Sequence, residues 1–151
     1  MPNTKPVGVA FSDPELVSGT TITGAAISGG SISGATSVTA SDITTTGGLY
    51  LKTATVAATG STQTDAASIS DGLTLVSAAD GTKGVKLPLA VAGRTVIIKN
   101  GAAAILKVWP AVGDAINAIA VDSNYVLAAN TSSLLVAYDS TTWYSVPLLA
   151  S

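Results

Sequence analysis

From residue 47 onward, apolar and polar positions alternate in short runs separated by turn residues. Val96 and Ile98 share one side of an extended segment and Ile97 takes the other. Leu134, Val136 and Tyr138 likewise oppose Leu135, and Ile105, Lys107 and Trp109 oppose Leu106 and Val108. A period of two is the signature of β-strands. It predicts strands over residues 49–56, 73–77, 94–99, 105–109, 125–129, 134–138 and 142–146. Turn chemistry lies between many of them: Asp71-Gly72, Asp80-Gly81, Asn100-Gly101, Gly113-Asp114 and Asp139-Ser140. Residues 94–109 read as a hairpin around Asn100-Gly101, with Ala102 and Ala103 available to lengthen its loop. Residues 47–151 are therefore expected to form an antiparallel β-sandwich or barrel, a knob domain. Several of its strands are apolar on both sides. One side fills a core; the other needs a cover, for which a neighbouring subunit is the natural candidate.

The pattern changes upstream. In residues 19–46, Ile22, Ile27 and Ile32 recur every five residues, followed at a fixed offset by Gly24, Gly29 and Gly34. The spacing then loosens to Val38 and Ile43. An odd period sends successive isoleucines to opposite sides of a straight strand. The chain must bend once per repeat to bring them to one axis, and glycine permits the bend. Fixed-period repetition marks a stacked or fibrous element, and a segment this short needs other chains to complete it. It is expected to form a short intertwined stalk of a homotrimer, with Ile22, Ile27, Ile32, Val38 and Ile43 on the trimer axis. The competing reading is a flexible Gly/Ser/Thr linker, in which a fixed isoleucine period has no purpose.

Residues 1–18 carry Pro2, Pro6 and Pro14, which oppose both helix and sheet. They are expected to be extended, either a solvated terminus or a docking arm anchored by Val7, Val9, Phe11 and Leu16.

Composition narrows the chemistry. The 151 residues include no Cys and no His, and Ala, Thr, Ser and Gly make up roughly half of the chain. Thiolate nucleophiles, histidine bases and the usual zinc, haem and iron–sulfur ligand sets are excluded. Seven Lys plus Arg against nine Asp plus Glu give a net charge of -2, without the basic footprint of a nucleic-acid binder. Mean hydropathy is +0.51, yet every apolar run is interrupted well short of the about 20 residues that a membrane-spanning helix needs. The N-terminus lacks the apolar stretch of a secretory leader. Glu15 and Gln63 are the sole residues of their kinds, so surface helices are poorly supplied and an all-β fold follows. Core area is thin, because Ala buries little and only two Trp, four Tyr and one Phe are present. The acidic residues mostly sit beside Gly or Ser, where Asp caps turns, so neither a paired-carboxylate site nor a metal site is expected. No cofactor and no enzymatic activity are expected. Trp109, Trp143 and Tyr144, with Tyr138, are candidates for a carbohydrate shelf or for core and interface packing.

The stretch Gly81-Thr-Lys-Gly-Val-Lys-Leu-Pro-Leu-Ala, then Gly93-Arg-Thr-Val-Ile-Ile-Lys-Asn-Gly-Ala, Val108-Trp-Pro-Ala-Val-Gly-Asp-Ala-Ile-Asn and Tyr138-Asp-Ser-Thr-Thr-Trp-Tyr resembles a β-rich module of tailed-bacteriophage virion proteins. The upstream Ile-Ser-Gly-Gly-Ser-Ile-Ser-Gly repeats resemble phage-fibre stalks. The resemblance implies a trimeric capsid decoration (cement) or head-fibre protein on the capsid surface, with the major capsid protein as partner. The proline-rich arm would meet the shell and the β domain would project from it. The same module in tail proteins implies the alternative of a fibre tip that binds a receptor or a host-surface glycan.

Overall fold

A computed structural model describes residues 47–148. Ten strands and no helix occur among them. They are β1 (Thr53–Ala57), β2 (Ala67–Ser68), β3 (Gly72–Ala78), β4 (Gly84–Lys86) and β5 (Thr95–Asn100), followed by β6 (Leu106–Trp109), β7 (Ala115–Ile116), β8 (Tyr125–Leu127), β9 (Ser132–Ala137) and β10 (Thr142–Leu148). They form a six-stranded sheet in the order β1-β3-β5-β9-β10-β7 and a four-stranded sheet in the order β2-β4-β6-β8. All seven predicted strand regions contain a strand. The first starts late, at Thr53, leaving Leu49, Tyr50 and Leu51 exposed ahead of it. The short strands β2, β4 and β7 lie outside the predicted set.

The expected antiparallel sandwich or barrel is corrected. The chain alternates between the two sheets, and β1, β3 and β5 stack in parallel, as do β2, β4 and β6. Thr53, Leu73 and Ile97 occupy one register line of the first sheet, and Ala67, Val85 and Val108 one line of the second. This is a solenoid-like winding of three rungs, at about 20 residues per rung, a spacing typical of stacked repeats. The stack ends where β9 runs antiparallel to β5, β10 antiparallel to β9, and β8 antiparallel to β6.

The hairpin expected at Asn100-Gly101 is also corrected. β5 and β6 belong to different sheets, and the chain arches between them. A two-residue type I′ turn needs positive φ at both central residues, and neither Asn100 nor Gly101 has it. Asn100 is instead fully buried. Its Nδ2 donates to the carbonyls of Ala104 (2.9 Å) and Ala128 (3.0 Å), and its Oδ1 accepts from the Ala102 amide (3.1 Å). These bonds satisfy the backbone of the arch, which no ladder reaches.

The core lies between the sheets. Val76, Val96, Ile98, Leu135 and Trp143 reach it from the six-stranded sheet; Val85, Leu106 and Val108 reach it from the four-stranded one. Each such side chain contributes about 1.5–3 kcal/mol by leaving water. Two glycines permit close approaches. Gly72 has φ +99° and lies against the Lys52 carbonyl. A Cβ at Gly84 would fall 2.8 Å from Trp109 Nε1 and 2.7 Å from the Lys107 carbonyl, so the indole can lie over β4 only because residue 84 has no side chain.

Candidate interaction surface

The alternation that buries one side of the six-stranded sheet turns the other side outward. The register places Thr53, Leu73, Ile97, Leu134 and Val146 in one transverse row. Thr95, Val136 and Tyr144 lie in the row on one side of it, and Thr55, Leu75, Lys99, Ser132 and Leu148 in the row on the other. Leu73, Leu75, Tyr144, Val146 and Leu148 are exposed, while Ile97, Leu134 and Val136 are half-buried. Tyr138 and Tyr144 meet edge to face, with ring centroids 5.8 Å apart. The one charged side chain in these rows is Lys99, and its ammonium is tied to the Asn130 carbonyl at 2.6 Å. The two-sided strands read from the sequence are thus present, with their second side uncovered among the described residues.

Where β3 and β5 begin on this face, Leu51, Gly72, Thr95 and Ile97 line a shallow groove. Its polar wall is the ion pair between Arg94 Nε and Asp71 Oδ1 (3.1 Å); Arg94 also donates from Nη1 to the Leu89 carbonyl (2.7 Å). Both charged groups are therefore engaged.

The four-stranded sheet presents a different surface. Lys86 and Trp109 are cross-strand neighbours, as are Gly84 and Lys107. The Trp109 indole lies over Gly84, with Nε1 buried and without a hydrogen-bond partner.

The three candidate aromatics do not converge. Trp109 belongs to the outer side of the four-stranded sheet and Tyr144 to the outer side of the six-stranded sheet. Trp143 is fully buried, which corrects its place among surface aromatics: it is adjacent to Tyr144 in a strand, so it must point the opposite way, into the core. Val7, Val9, Phe11, Leu16, Ile22, Ile27, Ile32, Val38 and Ile43 lie outside the described residues.

Among the described residues, Asp65, Asp80, Asp114, Asp122 and Asp139 each accept from a backbone amide, while Asp71 pairs with Arg94. Asp80 Oδ1 accepts from the Thr82 hydroxyl (2.7 Å), the Thr82 amide (2.9 Å) and the Lys83 amide (3.1 Å). Those bonds, the hydroxyl first, hold its carboxyl far below the ordinary value of 3.8. Asp65 is lowered by the hydroxyl and amide of Thr62, Asp122 by the Gln63 side chain and the Gly113 amide, and Asp139 chiefly by the Thr141 amide. Asp114 departs from the expected local turn role. It is buried, and its Oδ2 accepts from the Ala90 amide at 2.8 Å, joining segments far apart in sequence. Among the described residues, no group of three or more His, Cys, Asp or Glu side chains is placed to hold a metal ion.

These lowered values set an acid response. A carboxylate whose folded pKa lies below its unfolded one contributes stability above the unfolded value and loses it as pH falls through the folded value. The melting temperature is expected to be level from neutrality to about pH 5 and to fall progressively below that. Asp80→Asn should flatten the fall, because its side chain no longer takes up a proton. Thermal melts across pH check this; an acid limb of the same steepness in the variant would remove Asp80 from the cause.

By this geometry residues 47–148 form an all-β unit of stacked rungs with an apolar sheet face that is uncovered among the described residues. Comparison with protein-family descriptions, with curated proteins and with solved structures finds no match.

Proposed function

We propose that the protein is a structural component of a virion: a homotrimeric capsid decoration or head-fibre protein, located at the capsid surface, that binds the assembled capsid through its N-terminal region. The observation that supports the oligomeric part of this reading is the broad apolar face of the six-stranded sheet, a surface suited to macromolecular contact. The phage-like motifs and the five-residue isoleucine repeats of the sequence support the same reading. The alternative, a glycan-binding tip, loses its proposed aromatic shelf, since Trp109, Trp143 and Tyr144 point in separate directions.

A decoration protein of this kind acts by mass action. A ligand that binds the assembled shell and not its free subunits stabilises assembly by an amount that grows with its concentration relative to Kd. Deletion of residues 1–18 is expected to abolish binding to purified capsids while the trimer persists in solution. Capsid sedimentation with bound-protein quantification, together with light scattering, checks this. Unchanged occupancy would remove the N-terminal region from the capsid contact.

A further inference from the structure

We infer that the outer face of the six-stranded sheet is the surface on which copies of this chain meet, with Leu73, Ile97, Leu134 and Val146 at its centre. The inference rests on the proposed homotrimer and deepens it by assigning the subunit contact to a defined face of the β domain.

The size of the face comes first. Leu51, Leu73, Leu75, Tyr144, Val146 and Leu148 are each between 37% and 50% exposed on this one face, with the half-buried Ile97, Leu134 and Val136 among them, and a contiguous apolar patch of roughly several hundred Å² is the scale that marks an interaction surface. Composition comes second. Lys99, the single charge in these rows, is bonded to the chain's own backbone at one margin, so nothing on the face asks for a charged partner. Shape comes third. Three such sides can face a common three-fold axis, so that the aliphatic rows of each chain meet those of its two neighbours in one shared apolar centre.

Availability decides between partners. A patch this large on a free chain is an aggregation hazard from the moment the chain folds. Copies of the same chain are present at that moment and in equal amount. A capsid lattice is met later and, under the proposed function, is met by the N-terminal region. The face of the four-stranded sheet, with Lys86 and Lys107 beside Trp109, has no comparable aliphatic rows.

The exposures supply a matched test. Val146 on the six-stranded sheet and Val126 on the four-stranded sheet are each 48% exposed in the single chain. The chain has no cysteine, so Val146→Cys and Val126→Cys each introduce the only thiol. Maleimide labelling of the two full-length variants is compared at micromolar concentration, with mass taken from light scattering. The expected result is that Val146→Cys reacts at least tenfold more slowly than Val126→Cys, in a particle of three times 14.8 kDa. Slow labelling at a mass of two chains keeps the face assignment and overturns the trimer. Equal rates at the trimer mass overturn the assignment and leave the trimer standing. Equal rates at the monomer mass overturn both. Slow labelling at the monomer mass gives the cover to the chain's own residues, and protection that arises only on adding capsids gives it to the shell; either overturns the inference. Tyr144→Cys, at a site 50% exposed, repeats the comparison should Val146→Cys fail to fold by circular dichroism.

Discussion

Trp143→Ala is expected to lower stability by about 3–5 kcal/mol, the usual cost of removing a large aromatic side chain from a packed core. Trp143 is fully buried near the start of β10, paired with Ala137 of β9 on one side and Ile116 of β7 on the other. It is the largest of the fully buried side chains, and aliphatic neighbours across the sheets leave a cavity that they cannot close by small movements. For a β domain of this size the melting temperature should fall by roughly 15–25 °C. Melts followed by circular dichroism, at equal chain concentration because oligomerisation shifts apparent stability, provide the measurement. A fall under about 5 °C would mean that the core does not depend on this indole in the way such packing requires. One consequence concerns the carbohydrate question: loss of glycan binding in this variant would report unfolding and not a lost contact.

The second large effect is expected at Asn100. Asn100→Asp keeps shape and volume while replacing an amide donor by a carboxylate that faces the carbonyls of Ala104 and Ala128. The site is fully buried, so the new group either carries an unpaired charge out of water or takes up a proton, and in neither form does it supply both lost donor bonds. A loss of at least about 3 kcal/mol is expected at neutral pH. It should concentrate at the crossing from β5 to β6, where this side chain stands in for a ladder. Chemical denaturation measures the loss, and protease cleavage in residues 101–105 locates it. A variant with an unchanged midpoint and an uncut arch would show that the bonds of Asn100 are dispensable.

These two residues also mark where sequence patterning stops. The alternation at 96–98, 106–108 and 134–136 is present in the fold, because side-chain parity along a strand is a local property of extended backbone. Parity alone does not say which side is inside. In residues 142–146, Tyr144 and Val146 form the more continuous apolar side, yet Trp143 takes the core because β10 lies between β9 and β7 with that side toward the opposite sheet. Asn100-Gly101 carries the residue types of a tight hairpin, but dipeptide identity does not report φ, and the buried amide is better satisfied by the carbonyls of two other segments. β4 leaves no mark in the pattern for a related reason: Gly84-Val85-Lys86 is too short to show a period, and it is a strand because β2 and β6 lie on either side of it.

The candidate surface divides in the same way. The two-sided apolar strands, and so the need for a second cover, were legible in residues such as Ile97, Leu134 and Val136. That these residues belong to one face was not, since it depends on a register that joins Leu73 to Ile97 and Ile97 to Leu134. The scattered aspartates were readable as turn residues at 80 and 139, where the partners lie within three positions. Asp114, whose partner is the amide of Ala90, was not.

By itself the sequence determined the all-β class of residues 47–148, the positions of their longer strands, the side-chain parity within them and the exclusion of histidine and cysteine chemistry. Each of these follows from composition or from contacts between near neighbours. Only the tertiary structure decided that the strands stack in parallel rungs, that the chain arches between sheets at Asn100, that Trp143 is core and that the apolar second sides merge into one uncovered face. Those outcomes depend on which distant segments pair. Pairing is settled by the burial and hydrogen bonding of the whole stack together, and no single segment carries that information.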